Sequence, residues 1–378
     1  MAALRPRLSV HIVTRNSEKR LPRLIAEVRS FADEVIVAAD ASSEDATFEI
    51  ALALADVVYR FALPQPGLLA PTRMLPFDYA RGDWILSLDD DESMEPAFDD
   101  IAAELMSAPC VTHYYLARKW IVSEDPLEYV RAHPWYPDWL PRLFRNDRSL
   151  LWKPPSAHTL ERILGPAAYE TRCAILHFEP VWCSPEARAA KVARYHAAGG
   201  EVNTDPFYRI ADDLPRRPAT RRVASAEPMR AAAPVVHRSV RKLIANELPP
   251  WSAKLVGTDM PATVRSGERV VVEVVLRNTG MLAWAPTYTQ WPATQWPMLR
   301  LSYHLSTADG RAVDRDHAPR TLLPHWVKPG ADVSFLVDFI APDEPGEYVI
   351  GWDMVSENHC WFSDCGNQIV ESRVRVTC

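Results

Sequence analysis

The chain has 378 residues, 48% of them hydrophobic and 24% charged, which excludes a disordered or fibrous protein. Its 42 basic and 49 acidic residues leave a net charge of −7, so there is no electrostatic reason to expect nucleic-acid binding. No apolar run approaches the roughly 18 residues of a membrane span, and the apolar stretch behind residues 1–7 breaks at His11 and ends in Thr14-Arg15-Asn16, unlike a secretory signal.

At roughly 100–200 residues per domain, two domains are expected. The 33 prolines stand beside only 13 glycines, a balance that favours stiff loops and strand edges over a flexible low-complexity chain. The run LSVHIVT (8–14) is apolar and β-branched and predicts a buried strand. Leu21, Leu24, Ile25 and Val28 follow at helical spacing. EVIVAAD (34–40) predicts a second strand, and Phe48, Ala51, Leu52 and Ala55 a second helix. Asp56-Val57-Val58-Tyr59 and WILSL (84–88) predict a third and fourth strand. Strands and helices alternating in this way indicate a mostly parallel, Rossmann-like sheet with helices on both faces, over about residues 1–212.

Residues 213–250 are rich in proline and arginine and predict a linker. Val236, Val240, Leu243 and Ile244 suggest one short helix near 235–247, packed between domains rather than on a membrane surface. Beyond residue 250 the period becomes two. Leu299, Leu301, Tyr303 and Leu305 alternate with polar residues, as do Val333, Phe335, Val337 and Phe339, and Tyr348, Ile350, Trp352 and Met354. With turns such as Lys328-Pro329-Gly330, residues 251–378 predict an antiparallel β-sandwich.

Six cysteines include no C-x-x-C pair, so free thiols in a cytoplasmic protein are expected. Any membrane contact would be peripheral, on the inner face. Cys360 and Cys365 are close enough to bridge around a turn, although reduced thiols are the plainer expectation. Cys173, His177 and Cys183 make a poor zinc site: in a strand, Cys173 and His177 lie about 13 Å apart at roughly 3.3 Å per residue.

The sharpest chemical signal is Asp89-Asp90-Asp91-Glu92, directly after the apolar strand 84–88. Open α/β sheets bind ligands beyond the carboxyl ends of their strands. Asp89 and Asp91, two residues apart, would point to one side where the strand ends. Two hard carboxylates there suit a divalent cation that also holds diphosphate oxygens. An exposed acidic turn capping the next helix is the competing reading, and the position after a buried strand disfavours it. Trp135, Tyr136 and Trp139 could form a platform for sugar rings, with core packing as the alternative.

Four blocks in order resemble glycosyltransferase family 2, of the GT-A fold, most closely its lipopolysaccharide-core branch. They are LSVHIVTRNSEKRLPRLI (8–25), DEVIVAADASSEDAT (33–47), ARGDWILSLDDDE (80–92) with its D-x-D motif, and WYPDWLPRLFRND (135–147). The resemblance implies that Thr14, Arg15 and Asn16 lie against the nucleotide and that Asp40 binds its base. It implies that Arg73 faces the nucleotide or its phosphates, and that Asp89, Asp90 and Asp91 lie at the donor. Asp89 and Asp91 would meet a diphosphate bound to Mn2+ or Mg2+, with Asp91 the direct ligand.

The family inverts at the anomeric carbon, so an acceptor hydroxyl needs a general base. Asp138 is the first candidate, and Glu161 and His158 follow. Arg142 and Arg145 would offset diphosphate charge, although Asp138 could instead pair with Arg142. One departure is Ser42, where the family has glycine; a positive φ there would strain serine. The implied donor is a nucleotide-diphosphate sugar, with UDP favoured, and the implied acceptor a hydroxyl of a glycan, glycolipid or small molecule. A catalytically degenerate glycan-binding or scaffold protein is the alternative. A nucleotidyltransferase is disfavoured because TRNSEKR (14–20) has no glycine.

In the C-terminal part, VVVEVVLRNTGMLAW (270–284), PGEYVIGWDMV (345–355) and CWFSDCG (360–366) resemble tryptophan-rich immunoglobulin-like modules. In such modules Asn-Thr-Gly forms a turn and the tryptophans largely fill the core, which implies a binding or docking role.

Overall fold

A computed structural model describes residues 6–62, 77, 79–152, 162–197, 205–222, 235–239, 251–286, 298–314, 318–357 and 360–378. The chain divides into two compact units, Met1–Asn246 and Glu247–Cys378.

The first unit contains strands β1 (Leu8–Thr14), β2 (Glu34–Asp40), β3 (Val57–Ala62), β4 (Trp84–Asp89), β5 (Glu92–Met94), β6 (His113–Glu124), β7 (Leu127–Val130), β8 (Asp138–Arg145), β9 (Leu151–Trp152), β10 (Arg162–Ile163), β11 (Ala167–His177), β12 (Arg216–Pro218) and β13 (Val235–Ser239). Its helices are α1 (Leu21–Val28), α2 (Thr47–Leu54), α3 (Phe98–Ser107), α4 (Glu179–Trp182), α5 (Pro185–Ala197) and α6 (Asp205–Tyr208). The main sheet runs β12-β7-β6-β8-β4-β1-β2-β3-β13, with β11 also on β6 and β5 on β11. Strands β1 and β2 are buried at every position, which explains their unbroken apolar runs. Leu21, Leu24, Ile25 and Val28 of α1 join Phe98, Ile101 and Leu105 of α3 in the main core.

The sheet is mixed rather than mostly parallel. Strands β4, β1, β2, β3 and β13 are parallel, whereas β8 pairs antiparallel with both β4 and β6. Two differences concern the segment expected to be a linker. Residues 216–218 pair with β7, and residues 235–239 form a strand parallel to β3, with Val235 beside Val58. The expected helix is therefore absent over 235–239: Val235 and Val236 are β-branched, and the open edge of β3 supplies backbone partners that a lone short helix lacks. Residues 240–250 lie outside the described part.

The second unit is all β: β14 (Ala253–Thr258), β15 (Thr263–Arg265), β16 (Arg269–Asn278), β17 (Leu299–Thr307), β18 (Ala312–Asp314), β19 (Thr321–Leu322), β20 (Asp332–Ile340), β21 (Gly346–Ser356), β22 (Cys360–Trp361) and β23 (Val370–Thr377). One sheet is β14-β16-β20; the other runs β15-β23-β21-β17-β18, with β19 and β22 attached. Inward residues of the two sheets meet, as where Tyr303 lies 5.4 Å from Phe339 between ring centroids. The expected period-two residues are buried in all three strands. Trp251, Trp284, Trp352 and Trp361 are also buried, Trp326 is half-buried, and Trp291 and Trp296 lie outside the described residues. Asn278 forms the expected turn, its Oδ1 accepting from the Gly280 N–H at 3.0 Å. Among the described residues, no helix is long and apolar enough to cross a membrane.

Candidate active site

Strand β4 lies parallel to β1, with Val13 beside Asp89, and delivers the acidic turn to the carboxyl end of the parallel strands. The three aspartates then diverge. Asp89 Oδ2 accepts from Arg142 at 2.7 Å. Asp90 Oδ2 accepts from the Thr14 hydroxyl at 2.9 Å, from the Arg15 N–H at 3.2 Å and from the Ser17 hydroxyl. Asp91 faces His177. Asp89 and Asp91 thus have different partners, because the chain turns after Asp89 and the alternation of an extended strand ends there.

Antiparallel pairing of β5 with β11 sets His177 opposite Glu92, and the Phe178 N–H donates to the Asp91 carbonyl at 2.8 Å. The His177 ring consequently lies between two carboxylates, Nδ1 at 3.6 Å from Asp91 and Nε2 at 3.4 Å from Glu179. Burial alone would lower the His177 pKa, but the Asp91 charge outweighs it and raises the ring to about 9. Burial likewise opposes ionisation of Asp91, and the facing His177 overrides it, holding the carboxyl below its usual range. Asp90 moves the other way, to about 6, through burial and repulsion from Asp91.

Asp91, His177 and Glu179 form a triad in which one donor atom from each lies within 4.8 Å of the others, close enough to share a metal ion. All three residues are buried, and both His177 ring nitrogens and Glu179 Oε2 face one another's carboxylate or ring without a hydrogen bond of ordinary geometry, so a cation bound here would take the place of the proton that the two carboxylates favour on the ring. Two carboxylates and an imidazole are hard-to-intermediate donors, suited to a divalent cation. Glu179 Oε1 accepts from Lys191 Nζ of α5 at 2.7 Å.

A ladder of alternating charge leads from the acidic turn to β8. Arg142 bridges Asp89 and Glu92, the latter at 2.9 Å, and Arg118 of β6 reaches Glu92 at 3.4 Å. The other edge of the Arg118 guanidinium holds Asp138, whose Oδ2 accepts from Nε at 2.8 Å and from the Trp120 indole N–H at 3.0 Å. Asp138 therefore pairs with Arg118 rather than Arg142. Buried Arg142 is committed to two carboxylates, and Arg145 donates to the carbonyls of Ala108, Pro109 and Val111. Neither arginine forms a solvated basic face.

The first two loops are laced together beside this turn. Asn16 adopts φ 48°, its N–H donates to the Ser43 hydroxyl, and its Oδ1 accepts from the Glu44 N–H at 2.9 Å. Buried Asp40 accepts at Oδ1 from both the N–H and hydroxyl of Ser42. Ser42 has no positive φ, so serine is not strained where the family has glycine.

The three aromatic residues expected as one platform go to three neighbourhoods. Trp135 is buried against Trp120 and Val130, Tyr136 meets Tyr129 at 5.0 Å, and Trp139 meets the exposed Tyr169 at 5.0 Å. Their closeness in the chain concealed this, because Trp135 and Tyr136 lie in the turn before β8 and only Trp139 lies in the strand itself. Arg73, His158 and Glu161 lie outside the described residues. His177 and Glu179 were not expected at the acidic turn; only the pairing of β11 with β5 brings them there.

Residues 9–164 match the family model described as glycosyl transferase family 2. The match supports a glycosyltransferase of that family for the first unit. A protein of Rickettsia bellii described as an uncharacterized glycosyltransferase is 36% identical over 98 residues, which are 26% of this chain and 32% of that protein. The chain therefore spans about a third of that relative's length. Staphylococcus aureus TarS 1-349 in complex with UDP-GlcNAc is 17% identical over 52% of this chain and 68% of its own, with a TM-score of 0.32. A CARDB domain from Pyrococcus furiosus is 15% identical over 35% of this chain and 97% of its own, with a TM-score of 0.21. Scores this low do not establish a shared fold.

Proposed function

We propose that the first unit transfers a sugar, with inversion, from a nucleoside-diphosphate donor to a hydroxyl of a glycan, glycolipid or small molecule. The observation that carries the reading is the convergence at the end of β4 of Asp91, which lies inside the matched residues 9–164, with His177 and Glu179, which follow that segment in the chain. Asp91, His177 and Glu179 would hold Mn2+ or Mg2+, and such an ion supplies a charge that stabilises a leaving diphosphate. Thr14, Arg15 and Asn16 would line the nucleotide, with Asp40 toward its base; Asp90 fixes that loop through Thr14 and Ser17. UDP is the favoured nucleotide on the family resemblance.

Asp138 would remove the acceptor proton. Its Oδ2 is held by Arg118 and Trp120, which orients the carboxylate and leaves Oδ1 as the accepting atom. The second unit would bind or dock glycan.

The test incubates the full chain with Mn2+ or Mg2+ and UDP, GDP and dTDP sugars. Cation-dependent donor binding with at least slow hydrolysis is expected, and Asp91→Asn should lose it while staying folded. Failure to bind any nucleoside diphosphate overturns the proposal. Binding without turnover of any donor, together with tight glycan binding, would mark a degenerate transferase instead.

A further inference from the structure

Between β21 and β23 the second unit makes a tight turn that carries two cysteines. Strand β22 pairs with β21 through Cys360 opposite Ser356 and Trp361 opposite Val355. The chain then reverses over Ser363–Cys365, and Gly366 takes the left-handed φ of 89° that ends the turn. This geometry brings Cys360 Sγ to 2.9 Å from Cys365 Sγ. Cys360 is half-buried and Cys365 exposed, so a solvent-borne reagent reaches the second sulfur first.

The turn is tied to its surroundings at several points. The Ser363 N–H donates to Oδ2 of buried Asp353 at 3.3 Å, and the same carboxylate oxygen lies 3.2 Å from His304 Nε2. Trp361 packs against the His304 ring at 4.3 Å. Just beyond the turn, Asn367 Oδ1 accepts from the Ser252 hydroxyl and the Ala253 N–H, both at 3.0 Å, at the start of β14. The six-residue segment from Cys360 to Cys365 thus adjoins contacts to both sheets.

We propose that Cys360 and Cys365 are a site of reversible disulfide formation that staples this turn. The oxidant required is a low-molecular-weight disulfide such as oxidised glutathione. The Cys365 thiolate attacks one glutathione sulfur and expels the other glutathione as a thiol, leaving a mixed disulfide on Cys365. Cys360 then loses its proton and attacks Cys365 Sγ, expelling the second glutathione. Two cysteine thiols are oxidised and one glutathione disulfide is reduced to two thiols. Burial and the neighbouring Cys365 push the Cys360 thiol up to about 12, which makes it the poorer first nucleophile and the resolving partner. The other two exposed cysteines, Cys110 and Cys378, have no such described neighbour sulfur.

The experiment equilibrates the full chain over a series of oxidised-to-reduced glutathione ratios, alkylates the remaining thiols and maps cysteine peptides by mass spectrometry. A Cys360–Cys365 link should form before Cys110 or Cys378 becomes modified, and excess reduced thiol should reverse it. Cys365→Ser should abolish the link, and the oxidised wild type should show slower amide exchange over 360–367 than that variant. Alkylation of both Cys360 and Cys365 at ratios that already modify Cys110 or Cys378 overturns the proposal. So does a glutathione adduct that persists on Cys365 without resolution.

Discussion

Asp138 presents Oδ2 to Arg118 and Trp120, and in the proposed function Oδ1 would take the acceptor proton. Asp138→Asn should therefore preserve donor affinity and lower the catalytic rate about 10²–10⁴-fold, the usual worth of a general base. If the residue only neutralises Arg118, steady-state kinetics will show a fall of less than about tenfold, accompanied by a lower unfolding midpoint. A different titration is set by His113, buried on β6 with its Nδ1 3.1 Å from the Thr112 hydroxyl. Burial lowers its pKa from 6.5 to about 4. The native imidazole is therefore neutral where the unfolded one is already protonated. Its contribution is complete above the unfolded value and is lost as pH falls toward about 4, to the extent of ~3 kcal/mol. Denaturant titrations at pH 7 and pH 5 should show a smaller difference for His113→Gln than for wild type.

At the level of single elements, the entry to β4 tolerates no side chain. A Cβ on Gly82 would come within 2.6 Å of the Ser9 backbone nitrogen and 2.9 Å of the Trp84 carbonyl. Gly82→Ala should lower stability by about 1–3 kcal/mol, measured by urea unfolding, since backbone on both sides must move. The neighbouring strands show which elements could be read from sequence. Strands β1, β2 and β4 are central and covered on both faces, so their apolar runs are local and unmistakable. Strand β6 is less legible because Arg118 and Lys119 interrupt it, and their carboxylate partners Glu92, Asp138 and Glu95 are remote in sequence. The spacing of Val236, Val240, Leu243 and Ile244 fits a helix, but the open edge of β3 decides the conformation of 235–239. In the same way Asp91 was visible in its acidic run, whereas His177 and Glu179 reach it through strand pairing that no local motif encodes.

At the scale of the whole chain, the first unit needs residues well past 212. Arg222 donates to Ser30 at 2.6 Å and stacks on Phe31, and Arg221 bonds Glu27 at 3.2 Å and lies over Phe178. A fragment of residues 1–246 should unfold cooperatively, whereas 1–212 should aggregate or unfold at lower urea; equal midpoints would argue against a structural role for the later segment. The parallel partnership of β13 with β3 also carries a cost in time during synthesis. The ribosome completes β3 long before it reaches Val235, and at 5–20 residues per second the interval is roughly ten to thirty seconds. For that period the nascent sheet presents an unpaired strand, which is an opening for a wrong partner and a natural holding point for a chaperone.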